Sequence, residues 1–259
     1  MNPKDSPYYT LVFALRPDSF LYDAIRRAKS KTLLVADDQT YLSHPPHLTL
    51  YVSAFAEAAL EQVVERCRIL CASIQRPNLP VSGWHHFSGD VLTGKQTLVC
   101  ELTDEARSAL RQLQTRLIQS LAEFREPNAS AARYRPHFGT LSAERQSAVE
   151  RCGYPFIGDD WIPHITIASV AADRWDRVEH ALRNEAPTGE HQADALSIFR
   201  LVNDSYLTGK RSRSSEDGSQ TATMMQHAEI DRFCHSPVCS LRPTSSFRHR
   251  APHPIRSSR

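Results

Sequence analysis

Two short strings in this chain carry residue types suited to acid–base work, Pro46-His47-Leu48-Thr49-Leu50 and Pro163-His164-Ile165-Thr166-Ile167. Each sets His and Thr two positions apart with a branched apolar residue after each. In an extended strand the His and Thr therefore share one face and the apolar pair takes the other. An unperturbed imidazole has a pKa of about 6.5, so two facing one cleft hold one proton between them near neutrality. Breaking a phosphodiester with one proton taken and one given needs such a pair, and a Thr hydroxyl beside each ring can donate to non-bridging phosphate oxygens. Water or a ribose hydroxyl can then attack without a metal or a covalent nucleophile. An isolated His-x-Thr in a strand is most often a packed core histidine. Two matched copies, each preceded by Pro, favour a functional reading.

The segments around these strings predict what must position them. Tyr9 to Leu15 reads as a strand, and Arg16-Pro17-Asp18-Ser19 breaks it and starts a helix to about Lys29. His47 to Val52 is the next strand, followed by a helix over Glu57 to Cys71 with Leu60, Val63, Val64, Cys67 and Leu70 at helical spacing. Asn78 to Phe87 and Gln96 to Leu102 read as strands around Ser88-Gly89-Asp90, and Thr103-Asp104 starts a long helix with Leu110, Leu113, Leu117 and Leu121 on one side. Arg125 to Leu141 reads as irregular and Ala143 to Cys152 as a short helix. Trp161 to Val170 is the second His-Thr strand, Asp173 to Arg183 a helix and Ala193 to Val202 the last strand. Both His-Thr strands precede a helix and a further strand, which suggests two similar lobes.

Composition bounds the function. The chain has 259 residues, 41% of them hydrophobic and 23% charged, enough for one large domain or two small lobes. From Tyr206 onward there are nine Lys/Arg against four Asp/Glu, leaving 22 against 25 in residues 1–205. An acidic body excludes a non-specific duplex binder, so a nucleic-acid substrate would be small or held by its end. Residues 206–259, rich in Ser, Arg and His, are expected to form a disordered basic tail. No apolar run approaches a membrane span, and the six scattered cysteines fit a reduced, cytoplasmic setting. Cys234-His235-Ser236-Pro237-Val238-Cys239 lacks zinc-knuckle spacing, so no metal site is expected there.

Other residues compete for roles. Arg135-Pro136-His137-Phe138-Gly139-Thr140 also opens with Pro-His, but its Thr lies three positions on; a bulge at Gly139 would make His137 the alternative second histidine. Tyr51 and Trp161 flank the motif strands and are candidates to bound a nucleobase. Of His85 and His86, neighbours on one strand, at most one can line the cleft.

The strings LVFALRP at 11–17, PHLTL at 46–50, NLPVSGWHHFSGD at 78–90 with QTLVCEL at 96–102, and WIPHITIA at 161–168 resemble the 2H phosphoesterases, which include 2′-5′ RNA ligase-like proteins and 2′,3′-cyclic phosphodiesterases. The resemblance spans about residues 8–203. It implies a bilobal α+β fold, two antiparallel sheets around a central cleft with helices outside, over a domain of residues 1–205 that carries an insertion at about 125–158. It implies His47, Thr49, His164 and Thr166 as the catalytic set, with no cofactor. The expected activity is a phosphoric diester hydrolase acting on 2′,3′-cyclic phosphates or 2′-5′ linkages of RNA or nucleotides, reversible as ligation, in a monomer that does not bind membranes. The rival expectations are a non-catalytic module holding a nucleotide or RNA end, and the same fold acting on a cyclic oligonucleotide signal. Where ligase-like members often carry a basic residue after the second motif, this chain has Ala168-Ser169-Val170.

Overall fold

The computed structural model describes residues 7–202 and 205–206. Among the described residues, seven strands and six α-helices follow one another along the chain. β1 (Tyr8–Pro17) leads into α1 (Ser19–Ala36), whose first turn is closed by the Asp18 carboxylate accepting from the Leu21 amide. That helix runs seven residues past the expected Lys29. β2 (Leu48–Ala56) and α2 (Leu60–Ala72) follow, then β3 (Val81–Phe87), β4 (Gln96–Leu102) and α3 (Asp104–Leu121). α4 (Pro127–Tyr134) and α5 (Ala143–Cys152) precede β5 (His164–Val170), α6 (Trp175–Leu182), β6 (Ala193–Val202) and β7 (Ser205–Tyr206).

The strands form one antiparallel sheet in the order β3-β4-β5-β2-β1-β6-β7. The expectation of two separate sheets is corrected here. β2 and β5 are joined by a single residue pair, Leu48 with Ile165, after which they part. The sheet is thus two wings hinged at the two motifs. On either side of the hinge the order repeats: β2-β1-β6 mirrors β5-β4-β3. The chain therefore contains β1-α1-β2-α2-β3 and β4-α3-β5-α6-β6, each of which gives its last strand to the other wing. The exchanged segments cross where the Leu79 amide donates to the His191 carbonyl and Val81 and Gly189 trade two backbone hydrogen bonds. α1 packs on α6 and β5, and α3 on α2 and β2, so each long helix lies beneath the other wing's motif strand.

Apolar burial holds this arrangement together. Leu48, Leu50, Ile165 and Ile167, the apolar positions of the two motifs, are fully buried beside Leu15, Leu21, Ile25, Leu110 and Leu117. Each such side chain contributes about 1.5–3 kcal/mol. None of the described cysteines, Cys67, Cys71, Cys100 and Cys152, is in a disulfide.

The stretch expected to be irregular, Arg125 to Leu141, is helical: α4 is followed by a 3-10 segment, Arg135–Thr140. Pro127 opens α4 at a position where its missing amide costs nothing, a start signal the composition obscured. The helix is pinned to β2, with the Ser130 hydroxyl 2.8 Å from that of Ser53 and accepting from the Ala54 amide at 3.0 Å. α5 ends on Gly153 in the left-handed region, φ 72°, where an added Cβ would fall 2.5 Å from Ser130 Cβ and 2.8 Å from Ser53 Oγ. Gly153→Ala is expected to destabilise the fold by about 2–4 kcal/mol through strain and overlap; an unchanged urea midpoint would contradict this packing.

Candidate active site

The hinge pair places both motifs side by side. Leu48 and Ile165 face the core, so the residues on either side of them turn to the opposite face of the sheet. Continuing the same antiparallel register sets Thr166 across from His47 and Thr49 across from His164. Both threonines are partly exposed on this face, whereas Leu50 and Ile167 are fully buried.

The two imidazoles are held alike. His47 Nδ1 lies 2.6 Å from the Pro45 carbonyl, and His164 Nδ1 lies 2.7 Å from the Ile162 carbonyl. A carbonyl only accepts, so Nδ1–H is the donor in both rings and Nε2 is the basic nitrogen of each neutral imidazole. An aromatic from the exchanged strand packs against each ring: Phe199 of β6 at 5.7 Å from His47 and Phe87 of β3 at 5.2 Å from His164.

Their electrostatic surroundings differ. Burial pushes the His47 pKa down to about 3, only partly offset by the Pro45 carbonyl, and the charges of Lys29, His44 and His164 disfavour its proton further. His164 is also lowered by desolvation, but beyond the Ile162 carbonyl the carboxylates of Asp90 and Glu101 favour its protonated form, against an opposing effect of His85. Glu101 is the register partner of His164 on β4, and it accepts from Arg107 Nη2 at 3.0 Å. On the other wing, one step beyond the Leu15/Leu48 pair, Arg16 of β1 takes the place that Glu101 holds beside His164. Arg16 is exposed and makes no ion pair among the described residues.

A β-bulge follows each motif at the same position. β2 inserts Leu50 between its pairs Thr49/Ala14 and Tyr51/Phe13, and β5 inserts Ile167 between Thr166/Val99 and Ala168/Leu98. The bulge overturns the expectation for Tyr51. Plain alternation would set Tyr51 on the face of His47 and Thr49, but the extra residue rotates it to the core. There it is 1% exposed, 6.0 Å from the Phe13 ring and donating to the Cys152 carbonyl at 2.5 Å. Trp161 is likewise corrected: it is 3% exposed, packed in the core before β5 begins. Neither bounds the cleft. The aromatics found beside the histidines are Phe87 and Phe199, which lie on strands remote in sequence from the motifs they serve. The pseudo-symmetric order of elements was the only sequence signal pointing to them.

His85 shares the cleft face with Phe87, at 5.1 Å, and its Nδ1 is 3.8 Å from Glu101, whereas His86 turns to the helices and packs on Trp175 at 4.9 Å. His137 is removed from contention as a strand residue. It sits in the 3-10 segment, its carbonyl accepting from the Thr140 hydroxyl, so no bulge at Gly139 exists to place it in a strand. Cys234 to Cys239 and the tail from 207 onward lie outside the described residues. A surface depression of about 770 Å³ along α3, lined by Arg107, Arg111 and Asp159, lies on the helical layer rather than on the face of the two histidines. No helix among the described residues is long and apolar enough to cross a membrane.

Solved structures align with the chain at low identity. Apo LigT from E. coli aligns with 13% identity and a TM-score of 0.43, over 78% of this chain and 94% of that one. Usb1 from Kluyveromyces marxianus aligns with 15% identity and a TM-score of 0.38, over 79% and 98%. LigT has also been solved with 3′-AMP and with NADP+. No curated protein matches the sequence. The family model described as the 2′-5′ RNA ligase superfamily matches residues 16–205, from the end of β1 to the start of β7, and the chain belongs to that superfamily of 2H phosphoesterases.

Proposed function

We propose that the chain is a phosphodiesterase that hydrolyses 2′,3′-cyclic phosphates or 2′-5′ linkages of RNA or nucleotides, with His47 and His164 as its proton-transfer pair. The carrying observation is the single β2–β5 pair, Leu48 with Ile165, which sets both His-x-Thr motifs on one face, each His with Nδ1 committed to a carbonyl. In hydrolysis, Nε2 of one ring takes a proton from water as its oxygen bonds to phosphorus. The phosphorus–oxygen bond to ribose breaks, and the departing oxygen receives the proton held on Nε2 of the other ring. Thr49 and Thr166 donate to the phosphate oxygens as negative charge builds. The cationic surroundings of His47 suit the base, and Asp90 and Glu101 beside His164 suit the acid. The reverse sequence with a ribose hydroxyl as nucleophile is ligation at the same site.

Arg16 supplies the positive charge that the sequence lacks after the second motif. Arg16→Met is expected to lower kcat/KM by about 10–100-fold, the worth of one charge-assisted hydrogen bond to phosphate, with no change in melting temperature. An unaltered kcat/KM would remove Arg16 from the site.

The test is a substrate panel assayed in EDTA: 2′,3′-cyclic AMP, a 2′-5′ diadenylate and a 3′-5′ diadenylate, with products identified by chromatography. Turnover of either of the first two supports the reading. A folded protein that binds these compounds without converting any of them would make it a binding module instead.

A further inference from the structure

Burying a lysine without a carboxylate partner is costly, because the ammonium loses its water. Lys29 on α1 is 6% exposed and forms no ion pair among the described residues. Its Nζ donates to the Tyr41 carbonyl at 2.7 Å and to the Ile167 carbonyl at 2.8 Å. Tyr41 belongs to the loop that delivers His47, and Ile167 is the bulge residue of the strand that begins with His164. The loop is itself bridged to β5 through Thr40 and Ser169. One ammonium group therefore fastens the approach to the first histidine onto the strand of the second.

The other repeat contains the matching device without the charge. Lys29 is the eleventh residue of the 18-residue α1, and Gln114 is the eleventh residue of the 18-residue α3. Gln114 is fully buried, and its Nε2 donates to the bulge carbonyl of Leu50 at 2.8 Å and to Phe156 at 3.0 Å, in the segment that delivers His164. Its Oε1 has no hydrogen-bond partner, so donation is the whole of its polar contribution. A neutral amide thus suffices to tie a bulge to a lead-in loop. The charge at Lys29 is additional to that task, and it acts on His47.

We propose that Lys29 and Gln114 are paired positioning residues that fix the spacing of His47 and His164, and that the Lys29 ammonium adds to burial in disfavouring a proton on His47. Desolvation brings the Lys29 pKa down to about 7, so the ammonium is charged in the acid range where His47 takes up its proton. The groups that face His47 are Lys29 from α1, His44 from the lead-in loop and His164 from β5, with the exposed Arg16 one register step past the Leu15/Leu48 pair on β1 and the apolar Phe199 on β6. His164 meets Asp90, Glu101 and His85 instead.

The inference rests on the paired-histidine reading for its kinetic consequences, but its primary readout needs no turnover. The protein labelled with ¹³C at His Cε1 is titrated by NMR as wild type, Lys29→Gln, Lys29→Arg and Gln114→Met, each checked for its melting temperature. In Lys29→Gln, which installs the residue of the opposite repeat, His47 is expected to titrate at least about one pH unit higher, a tenfold gain in proton affinity. Lys29→Arg is expected to leave the midpoint low. Gln114→Met is expected to lower kcat on 2′,3′-cyclic AMP with little change in KM, and to leave the His47 midpoint in place. Should Lys29→Gln not fold, Lys29→Met replaces it with the same expected shift. An unshifted His47 in a folded charge-removing variant, or an equal shift in Gln114→Met, would overturn the role of Lys29. Absence of turnover in the wild type would instead count against the phosphodiesterase reading alone.

Discussion

Replacing either His47 or His164 by alanine is expected to lower kcat by about 10²–10⁴-fold, the usual contribution of a general acid or base. That corresponds to about 2.7–5.5 kcal/mol of transition-state stabilisation. The two losses should be far from additive, because a proton taken without one being given leaves the bond no easier to break. The double variant is therefore expected to sit close to the slower single variant rather than at the product of both losses. KM should change little, since the proposed phosphate contacts are those of Thr49, Thr166 and Arg16. Single-turnover rates on 2′,3′-cyclic AMP for the four proteins test this, and two single variants with wild-type rates would end the paired-histidine mechanism.

The second large effect concerns stability in acid. His47 has an ordinary pKa of 6.5 in the unfolded chain and one of about 3 in the fold, where burial disfavours its charge. Above pH 6.5 the ring is neutral in both states and costs nothing. As pH falls from 6.5 toward 3 the unfolded chain takes up a proton that the folded one refuses, so stability drops across that window. The full shift amounts to at most about 5 kcal/mol, before relaxation and water entry reduce it. Urea unfolding at pH 7.5 and pH 4 should show the wild type losing several kcal/mol more than His47→Gln, which carries no titrating ring there. Equal losses would mean that His47 is hydrated in the folded state.

Much of the candidate site's geometry was legible because it obeys simple periodicities. The His-x-Thr strings read as strand entries with His and Thr on one face, and β2 and β5 carry them so. α5 and β6 match their expected spans, since Ser142 and Gly153 bracket the first and Ala193 to Val202 lacks internal breakers. What escaped was set by geometry that a single strand does not encode. Tyr51 was misplaced because a bulge at Leu50 depends on the partner strand, not on the local sequence. Phe87 and Phe199 escaped because exchange of β3 and β6 between wings is decided by tertiary pairing. The sequence places the end of the first helix at about Lys29, and only the extension of α1 to Ala36 puts that residue mid-helix beneath β5. The stretch from 127 to 140 looked irregular because Pro and Gly punctuate it, although Pro127 opens a helix.

The most direct test of paired acid–base chemistry is the pH dependence of kcat/KM for the wild type on 2′,3′-cyclic AMP in EDTA, which reports the free enzyme's proton-transfer groups. Both histidines are pushed below their ordinary range by burial, and the carboxylates of Asp90 and Glu101 favour the proton on His164. The expected profile is a bell with its maximum below pH 6.5, the acid limb set by proton uptake at His47 and the alkaline limb by proton loss from His164. A rate that climbs steadily with pH through 9, or that vanishes in EDTA and returns with a divalent cation, would contradict the two-histidine mechanism.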